Sequence, residues 1–293
     1  MFPTQPEHLG LYTQYVEDKD ASLSIKDVAT MPPPGTPHSE GQIDWQQAPL
    51  KGITKGFTQS VYWLRFSTEN TSEQQIKWHL EFAYPLLDKI EFYTPLGDGS
   101  YQKKVAGDHL PFSEREVNYR NIIFPVYSQA KQSDTYYARI QTISSMNVPL
   151  KAWPKSSVYT EIDSIKMYLG VMYGVLALAL ISAFVNAFFL RDTKYIWLCL
   201  SFIFIGLYLA SVQGITFQYL WPNSVWWANV NIPFFVNLGY IPAIKYCIVF
   251  IDMKRYWPKL DKAFHIIMYI GFIPMILSLF IDYDIIIRYC TLS

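Results

Sequence analysis

Hydrophobic residues follow different patterns in the two halves of the chain. In the first half, apolar and polar residues alternate over short stretches that turn residues separate, whereas the second half contains long apolar runs. Alternation with a period of two is typical of strands, and apolar runs of about 18 residues or more are typical of membrane-spanning helices. The pattern therefore predicts a β domain followed by a helical membrane region.

The clearest alternation lies at Ile76–Tyr84, which reads IKWHLEFAY. Its even positions are apolar and should share one face, whereas Lys77, His79 and Glu81 fall on the other, so we expect a strand with one buried face. Similar stretches predict further strands at 9–16, 61–68, 89–94, 101–105, 122–127, 135–143 and 148–153, and a turn or strand at 24–28. Short strands spaced by turns are typical of an antiparallel β-sandwich, which we predict for residues 1–158.

The second half begins with Met167–Leu190, 24 residues without Asp, Glu, Lys or Arg. A 50-residue stretch without these residues, Tyr195–Ile244, is too long for one span, and the turn residues Pro222 and Asn223 divide it. After a joint at 159–166, we therefore predict a multi-span α-helical bundle over 167–293. Its spans should lie at about 167–190, 195–217, 226–251 and 263–281, with a fifth that starts near Ile285 and is cut off.

Basic residues in the loops predict the orientation of this bundle. Arg191 and Lys194 follow the first span, and four basic residues lie at 252–262 after the third, whereas the loop after the second span has none. Cytoplasmic loops are enriched in Lys and Arg, so both basic loops should face the cytoplasm. We therefore expect a multi-pass protein of a bacterial inner membrane whose N-terminal domain is periplasmic.

Charge and motif content exclude several functions. Residues 1–165 carry 15 basic and 19 acidic residues, which argues against nucleic acid as a partner. The chain lacks the GxSxG, HExxH and phosphate-binding glycine motifs, and its five histidines are scattered. We therefore expect no enzyme within these residues.

The order of several motifs resembles the bacterial seven-transmembrane receptors with diverse intracellular signalling modules, in the group that carries the second type of extracellular domain. The motifs that carry this resemblance are Trp63-Leu64-Arg65-Phe66 with Asn70, Tyr84-Pro85-Leu86-Leu87-Asp88, Gly107-Asp108-His109-Leu110-Pro111-Phe112 with Arg115, Phe124-Pro125, Arg191-Asp192 and Tyr219-Leu220-Trp221-Pro222. The resemblance implies a jelly-roll extracellular domain similar to carbohydrate-binding modules. It also implies seven spans and a cytoplasmic output domain, commonly a diguanylate cyclase or a histidine kinase. This sequence departs from the family pattern in three ways. We identify no leader peptide in it, four complete spans in place of seven, and no output domain.

Six residues of the β domain are candidates for ligand binding. Trp63 and Arg65 share a strand face by alternation, so a tryptophan ring beside a guanidinium could frame a site for a sugar. The polar candidates are Asp88, Asp108, Arg115 and Arg120, for which a structural network of ion pairs and turns is the alternative. Trp78 lies on the apolar face of its strand and is predicted to be core.

Cofactors and metals have weaker signals. The acidic turns Asp98-Gly99 and Gly107-Asp108 would allow calcium, although they lack the spacing of an EF-hand loop, and ordinary turn roles are the alternative. We therefore expect no cofactor and no metal, with calcium as the exception to test.

Three polar residues within the apolar runs are further candidates: Asn186, Asn237 and Lys245. Polar side chains at membrane depth usually face the bundle interior and can mark a pathway or a switch. For Lys245 the alternative is that its ammonium group reaches the nearby interface.

The leading hypothesis is an inner-membrane sensory receptor that binds a small periplasmic ligand, for which a carbohydrate is one candidate. The expected partners are the lipid bilayer, this ligand and a second copy of the chain. Two alternatives remain: a transporter-like bundle with an accessory domain, and a membrane-anchored carbohydrate-binding protein without output.

Overall fold

The computed structural model describes residues 7–32, 44–154 and 157–280, and the chain divides into two compact units after Glu161. The first unit is an antiparallel β-sandwich and the second is helical. Both parts of the predicted fold class are thereby confirmed. The predicted fifth span near Ile285 lies outside the described residues.

Three antiparallel sheets form the β domain, and we number their strands in chain order. The largest has the spatial order β3 (Gln46–Gln47), β2 (Thr13–Asp18), β5 (Val61–Glu69), β10 (Ser133–Gln141), β7 (Lys89–Pro95) and β8 (Tyr101–Ala106). The second has the order β1 (Glu7–His8), β12 (Leu150–Pro154), β6 (Ile76–Phe82) and β9 (Ile122–Ser128). A two-stranded sheet pairs β11 (Ser145–Val148) with β4 (Ile53–Phe57).

Aromatic rings fill the core between the two large sheets. The ring of Tyr136 stacks on Phe66 and Phe92 at centroid distances of 5.5 and 5.8 Å, and Trp78 meets it edge-on at 5.8 Å. Trp78 is 1% exposed, as its strand alternation predicts. Because stacked and edge-on rings bury large apolar areas, this cluster gives the sandwich a core of its own.

The prediction of one buried face for β6 is wrong, because its polar face is buried too. His79 and Glu81 are each 3% exposed. The strand lies between β12 and β9, and Trp153 of β12 pairs with His79 on the side away from the core. Alternation identified the two faces, but the pattern of β6 alone does not reveal that side chains from neighbouring segments cover the second one.

A short helix that the sequence did not predict covers part of the six-stranded sheet. Helix α1 (Ile25–Thr30) occupies the stretch expected as a turn or strand, and Ser24 and Asp27 form a capping box at its start. Its Val28 packs in a second apolar cluster with Trp45, Trp63 and residues of β7 and β10. The strand expected at 9–16 begins only at Thr13, because residues 9–12 form a 3₁₀ helix.

Within residues 157–280, the helical unit contains four helices that are long and apolar enough to cross a bilayer. They are α2 (Ser157–Leu190), α3 (Thr193–Val212), α5 (Val225–Phe250) and α7 (Pro258–Leu277), with the short helices α4 (Ile215–Tyr219) and α6 (Met253–Tyr256) between them. Helix α5 packs against both α3 and α7. Four of the predicted spans therefore correspond to helices.

The bounds of these helices differ from the predicted spans at two places. Helix α2 begins at Ser157, so the residues expected to form a joint at 159–166 are helical. The second span was expected to reach residue 217, but α3 ends at Val212, and Gly214 has a left-handed backbone with φ of 74°. Glycine adopts this conformation without a steric penalty, so the chain turns there and starts α4.

Candidate functional site

Three chain segments meet at one end of the six-stranded sheet and bring polar side chains together: the segment before β7, the segment after β8 and the connection after β10. The backbone N–H of Asp108 donates to Leu87 O at 2.9 Å, and that of His109 donates to Asp88 O at 3.2 Å. A Cβ atom at Gly107 would overlap the carbonyl of Asp88, so only glycine allows this approach. The two motifs that contain Asp88 and Asp108 are therefore held side by side.

Hydrogen bonds fix the carboxylate of Asp88 through both of its oxygens. Thr142 Oγ1 donates to Oδ1 at 2.9 Å, and the backbone N–H of Ile143 donates to Oδ2 at 2.8 Å. The hydroxyl of Ser144 lies 2.8 Å from that of Thr142 and donates to Leu86 O at 2.7 Å. Since its donors come from the far connection, Asp88 joins the segment before β7 to the segment after β10.

Asp108 is the buried member of the cluster. It is 6% exposed, and its Oδ1 has no hydrogen-bond partner among the described residues. Burial and the negative charge of Asp88 hold the pKa of the Asp108 carboxyl well above its usual value, although Arg115 opposes this shift. The cluster therefore disfavours a second negative charge unless a cation or a proton accompanies it.

His109 and Tyr84 lie beside the two carboxyl groups. Nε2 of His109 is 3.7 Å from Asp88 Oδ2, and the histidine side chain is 44% exposed. Burial, with the charges of Asp108 and Asp88, raises the pKa of Tyr84 to about 12, so its hydroxyl stays protonated. Asp88, Asp108 and His109 each offer one donor atom, and these atoms lie within 4.8 Å of one another.

Arg115 is held next to this cluster by backbone carbonyls. Its Nη1 donates to Arg120 O at 2.7 Å and to Tyr119 O at 3.3 Å, and its guanidinium lies 4.6 Å from the ring centre of Phe112. Burial lowers its pKa to about 10, although Asp108 acts in the opposite direction, so Arg115 remains a cation at neutral pH. The guanidinium of Arg120 lies 5.9 Å from the ring centre of Tyr119.

A pocket of about 160 Å³ lies beside Arg115, between the edge strands β8 and β9. Lys104 and Glu116 line it and form an ion pair of 2.8 Å, and Ile122 and Phe124 contribute apolar surface. The pocket is therefore small and mixed in polarity.

The structure places Trp63 and Arg65 apart from this cluster, on the outer face of the six-stranded sheet. Trp63 is 1% exposed and stacks on Tyr93 at 5.6 Å within the second apolar cluster. Arg65 lies 4.3 Å from the ring centre of Trp45, and its Nε and Nη2 donate to Gln14 Oε1 at 2.9 and 2.7 Å. The pairing expected between Trp63 and Arg65 is replaced by one between Trp45 and Arg65.

The polar residues of the membrane helices bond in two ways. Asn186 Nδ2 donates to Ser182 O at 2.8 Å, and Asn237 Nδ2 donates to Pro233 O at 2.6 Å, each within its own helix. Lys245 Nζ instead lies 3.2 Å from Nε2 of His265, so it contacts helix α7. The other ring nitrogen of His265 lies 2.8 Å from Asp261 O.

Sequence reasoning missed several residues of these groups. His109 belongs to a motif that the sequence identified, but it was not selected as a candidate. Thr142 and Ser144 carried no signal, because their hydrogen bonds to Asp88 and to Leu86 O span 54 and 58 residues. The contact between Lys245 and His265 likewise depends on how α5 and α7 pack.

Comparisons with known families agree with this architecture. A model of the 7TMR-DISM extracellular 2 domain matches residues 10–154, and a model of the 7TM domain of diverse intracellular signalling proteins matches residues 165–293. A search of curated proteins found no match. Both matched domains are receptor domains and not catalytic ones. The chain therefore belongs to the 7TMR-DISM family of membrane receptors, with the extracellular domain of the second type.

Proposed function

We propose that the chain is the sensing and membrane part of a receptor in a bacterial inner membrane. Its β domain lies in the periplasm and binds a small ligand, and the helical bundle transmits the bound state to a cytoplasmic output module. In this family the module is commonly a diguanylate cyclase or a histidine kinase. The observation that carries the proposal is the cluster of Asp88, Asp108 and Arg115, three motif residues that the fold holds together beside a pocket.

The ligand we propose is a small polar molecule that Arg115 and Lys104 contact. The pocket of about 160 Å³ is below the roughly 300–1,000 Å³ typical of sites for drug-sized ligands. Both cations can donate to a carboxylate or to sugar hydroxyls. A carbohydrate stacked on Trp63 is a weaker candidate, because that ring is buried.

Cysteine labelling tests the orientation. In a background without native cysteines, Glu73→Cys reports on the β domain and Lys259→Cys reports on the first turn of α7, within the basic stretch 252–262; the Glu73 side chain is 83% exposed and Lys259 is also exposed. A membrane-impermeant maleimide should label Glu73→Cys in intact spheroplasts, and Lys259→Cys only after permeabilisation. The reverse pattern contradicts the proposed orientation.

A ligand screen tests the sensor role. The full chain in nanodiscs, with a chelator present, is heated with neutral sugars, sugar acids and small carboxylates, and unfolding of the β domain is followed. We expect at least one of these classes of molecule to raise the thermal unfolding midpoint of the native chain and not that of the Arg115→Gln variant. No shift with any class, or an equal shift in the variant, contradicts the ligand site proposed here.

A further inference from the structure

We propose that Asp88, Asp108 and His109 bind a divalent transition metal ion, for which zinc is the probe. The proposal concerns these three residues only and does not depend on the receptor function, because metal binding is measured directly. Its first support is that three side chains from two segments direct donor atoms to one place.

The distances between these donor atoms are close to those of a metal site. Nε2 of His109 and Oδ2 of Asp88 are 3.7 Å apart, and all three donor atoms lie within 4.8 Å of one another. Ligand atoms that share a zinc ion at about 2.0–2.2 Å lie roughly 3.3–3.6 Å apart in a tetrahedron. A contraction of at most about 1.5 Å therefore brings the set to coordination distance, and the exposed His109 side chain can supply part of that movement.

The second support is an independent one, the buried oxygen of Asp108. Asp108 is 6% exposed, and its Oδ1 has no hydrogen-bond partner among the described residues. An unsatisfied buried acceptor loses its hydrogen bonds to water without replacement, so native structures rarely retain one without a partner. A cation between Asp88 and Asp108 supplies that partner and offsets the repulsion between the two carboxylates.

Hydrogen bonds around the cluster are those expected of a metal site. Thr142 and the Ile143 N–H fix the orientation of Asp88, as hydrogen bonds to ligating carboxylates do in metal sites. The N–H of His109 anchors its backbone to Asp88 O. The Asp88 carboxylate is thus oriented before any ion arrives, and the backbone of His109 is held beside it.

The donor set favours a transition metal over calcium. Calcium takes six to eight oxygen ligands, whereas imidazole together with carboxylates suits zinc and its neighbours. Asp98 lies in the other acidic turn considered for calcium. Its carboxylate accepts hydrogen bonds from the Ser100 N–H, at 2.8 Å, and from the Ser100 hydroxyl. Three protein ligands leave at least one coordination position for water or for a ligand.

Equilibrium dialysis of the full chain in detergent, followed by elemental analysis, tests the proposal. Dialysis with micromolar zinc after chelator treatment should load one more zinc ion per native chain than per His109→Gln or Asp108→Asn chain. Each variant should bind this ion at least tenfold more weakly. The matched control Asp98→Asn, an exposed turn carboxylate outside the cluster, should bind as the native chain does.

A thermal measurement guards against variants that fail to fold. Zinc should raise the unfolding midpoint of the native chain and of Asp98→Asn, and it should leave that of His109→Gln unchanged. His109 is half exposed, so its substitution leaves the core intact. Equal zinc content in the native chain and His109→Gln, stabilisation by calcium but not by zinc, or no metal uptake would each overturn the proposal, and the last result indicates a proton shared by the two carboxyl groups.

Discussion

The indole Nε1 of Trp153 donates a hydrogen bond of 2.6 Å to Oε2 of Glu81, on the buried outer face of the four-stranded sheet. Asn121 Nδ2 donates to the other carboxylate oxygen, also at 2.6 Å. Both oxygens of this buried carboxylate therefore have donors. Such pairing is required because an ionised group without partners is costly to bury.

Trp153→Phe should destabilise the β domain, because it removes one of these donors. We expect a loss of about 1–3 kcal/mol in the free energy of unfolding, plus the cost of the smaller ring. Pulse proteolysis of the full chain in urea measures the change. Tyr127→Phe is the control, since Tyr127 is 50% exposed, and an equal effect of the two substitutions would contradict the role of the Glu81 bond.

Asn70→Asp should destabilise the domain more strongly than its size suggests. The amide nitrogen of Asn70 donates to three carbonyls, those of Gln74, Ser128 and Gln129, at 2.8–3.1 Å, and the residue is fully buried. An aspartate would place a second oxygen against these carbonyls, so we expect a loss of about 3 kcal/mol or more.

The same substitution at Asn147 serves as the control for Asn70. There the amide oxygen accepts a hydrogen bond from Thr54 Oγ1 at 3.2 Å, and a carboxylate preserves this bond. Pulse proteolysis should show little change for Asn147→Asp. A loss at Asn147 as large as that at Asn70 would mean that added charge, and not the lost donor, explains the result.

The stability of the β domain should fall in acid partly because of Glu91. Burial opposes its ionisation, but hydrogen bonds from Lys89 and Tyr93 and the charges of Lys89 and Lys103 outweigh burial and lower its pKa. A carboxyl group with a lowered pKa stabilises the folded state above its unfolded pKa of about 4.5, and this contribution is lost as the pH falls through the folded value.

Glu91→Gln should therefore reduce the slope of the unfolding midpoint against pH below about pH 4.5, measured on the full chain in detergent. Glu73→Gln, at a side chain that is 83% exposed, should leave the slope as in the native chain. A Glu91→Gln chain whose acid sensitivity equals that of the native chain would contradict the assignment.

Gly271→Ala should weaken the packing of α7 on α5. A Cβ atom at Gly271 would overlap the hydroxyl of Tyr240, so the tyrosine ring must move. The unfolding midpoint of the full chain in detergent should fall, and adding Tyr240→Phe should restore part of it, because that change removes the overlapping oxygen.

Gly170→Ala is the matched control for this helix contact. No described atom lies within 4 Å of a Cβ placed there, and alanine favours a helix over glycine by about 1 kcal/mol. The unfolding midpoint of the Gly170→Ala chain should stay the same or rise. A fall at Gly170 comparable to that at Gly271 would mean that the glycines serve the helices themselves and not the α5–α7 contact.

Sequence patterns predicted the strands and the apolar helices because both depend on local periodicity. Strand β5, expected at 61–68, occupies Val61–Glu69, and β7, expected at 89–94, occupies Lys89–Pro95. Helix α1 was missed because six residues are too few to show a helical period. The burial of His79 and Glu81 was not predicted, because side chains from other segments of the chain cover them.

Membership of a motif did not by itself predict which candidates form one site. Asp88, Asp108 and Arg115 come together in the fold, whereas Trp63 and Arg65, which belong to another motif of the resemblance, lie elsewhere. Which segments converge is a matter of strand order, and β7 and β8 are neighbours at one edge of their sheet. That order is set by the whole sandwich and is not encoded in any single stretch.

Because Asn186 and Asn237 donate to carbonyls of their own helices, either helix can turn about its axis and keep these bonds. Resistance to such a turn would instead come from polar contacts between helices. Two of these are the contact of Tyr173 with Gln213 at 3.2 Å and that of Lys245 with His265. The first joins α2 to the end of α3, and the second joins α5 to α7. Releasing one such contact would remove a polar restraint on helix rotation and leave the hydrogen bonds within each helix intact.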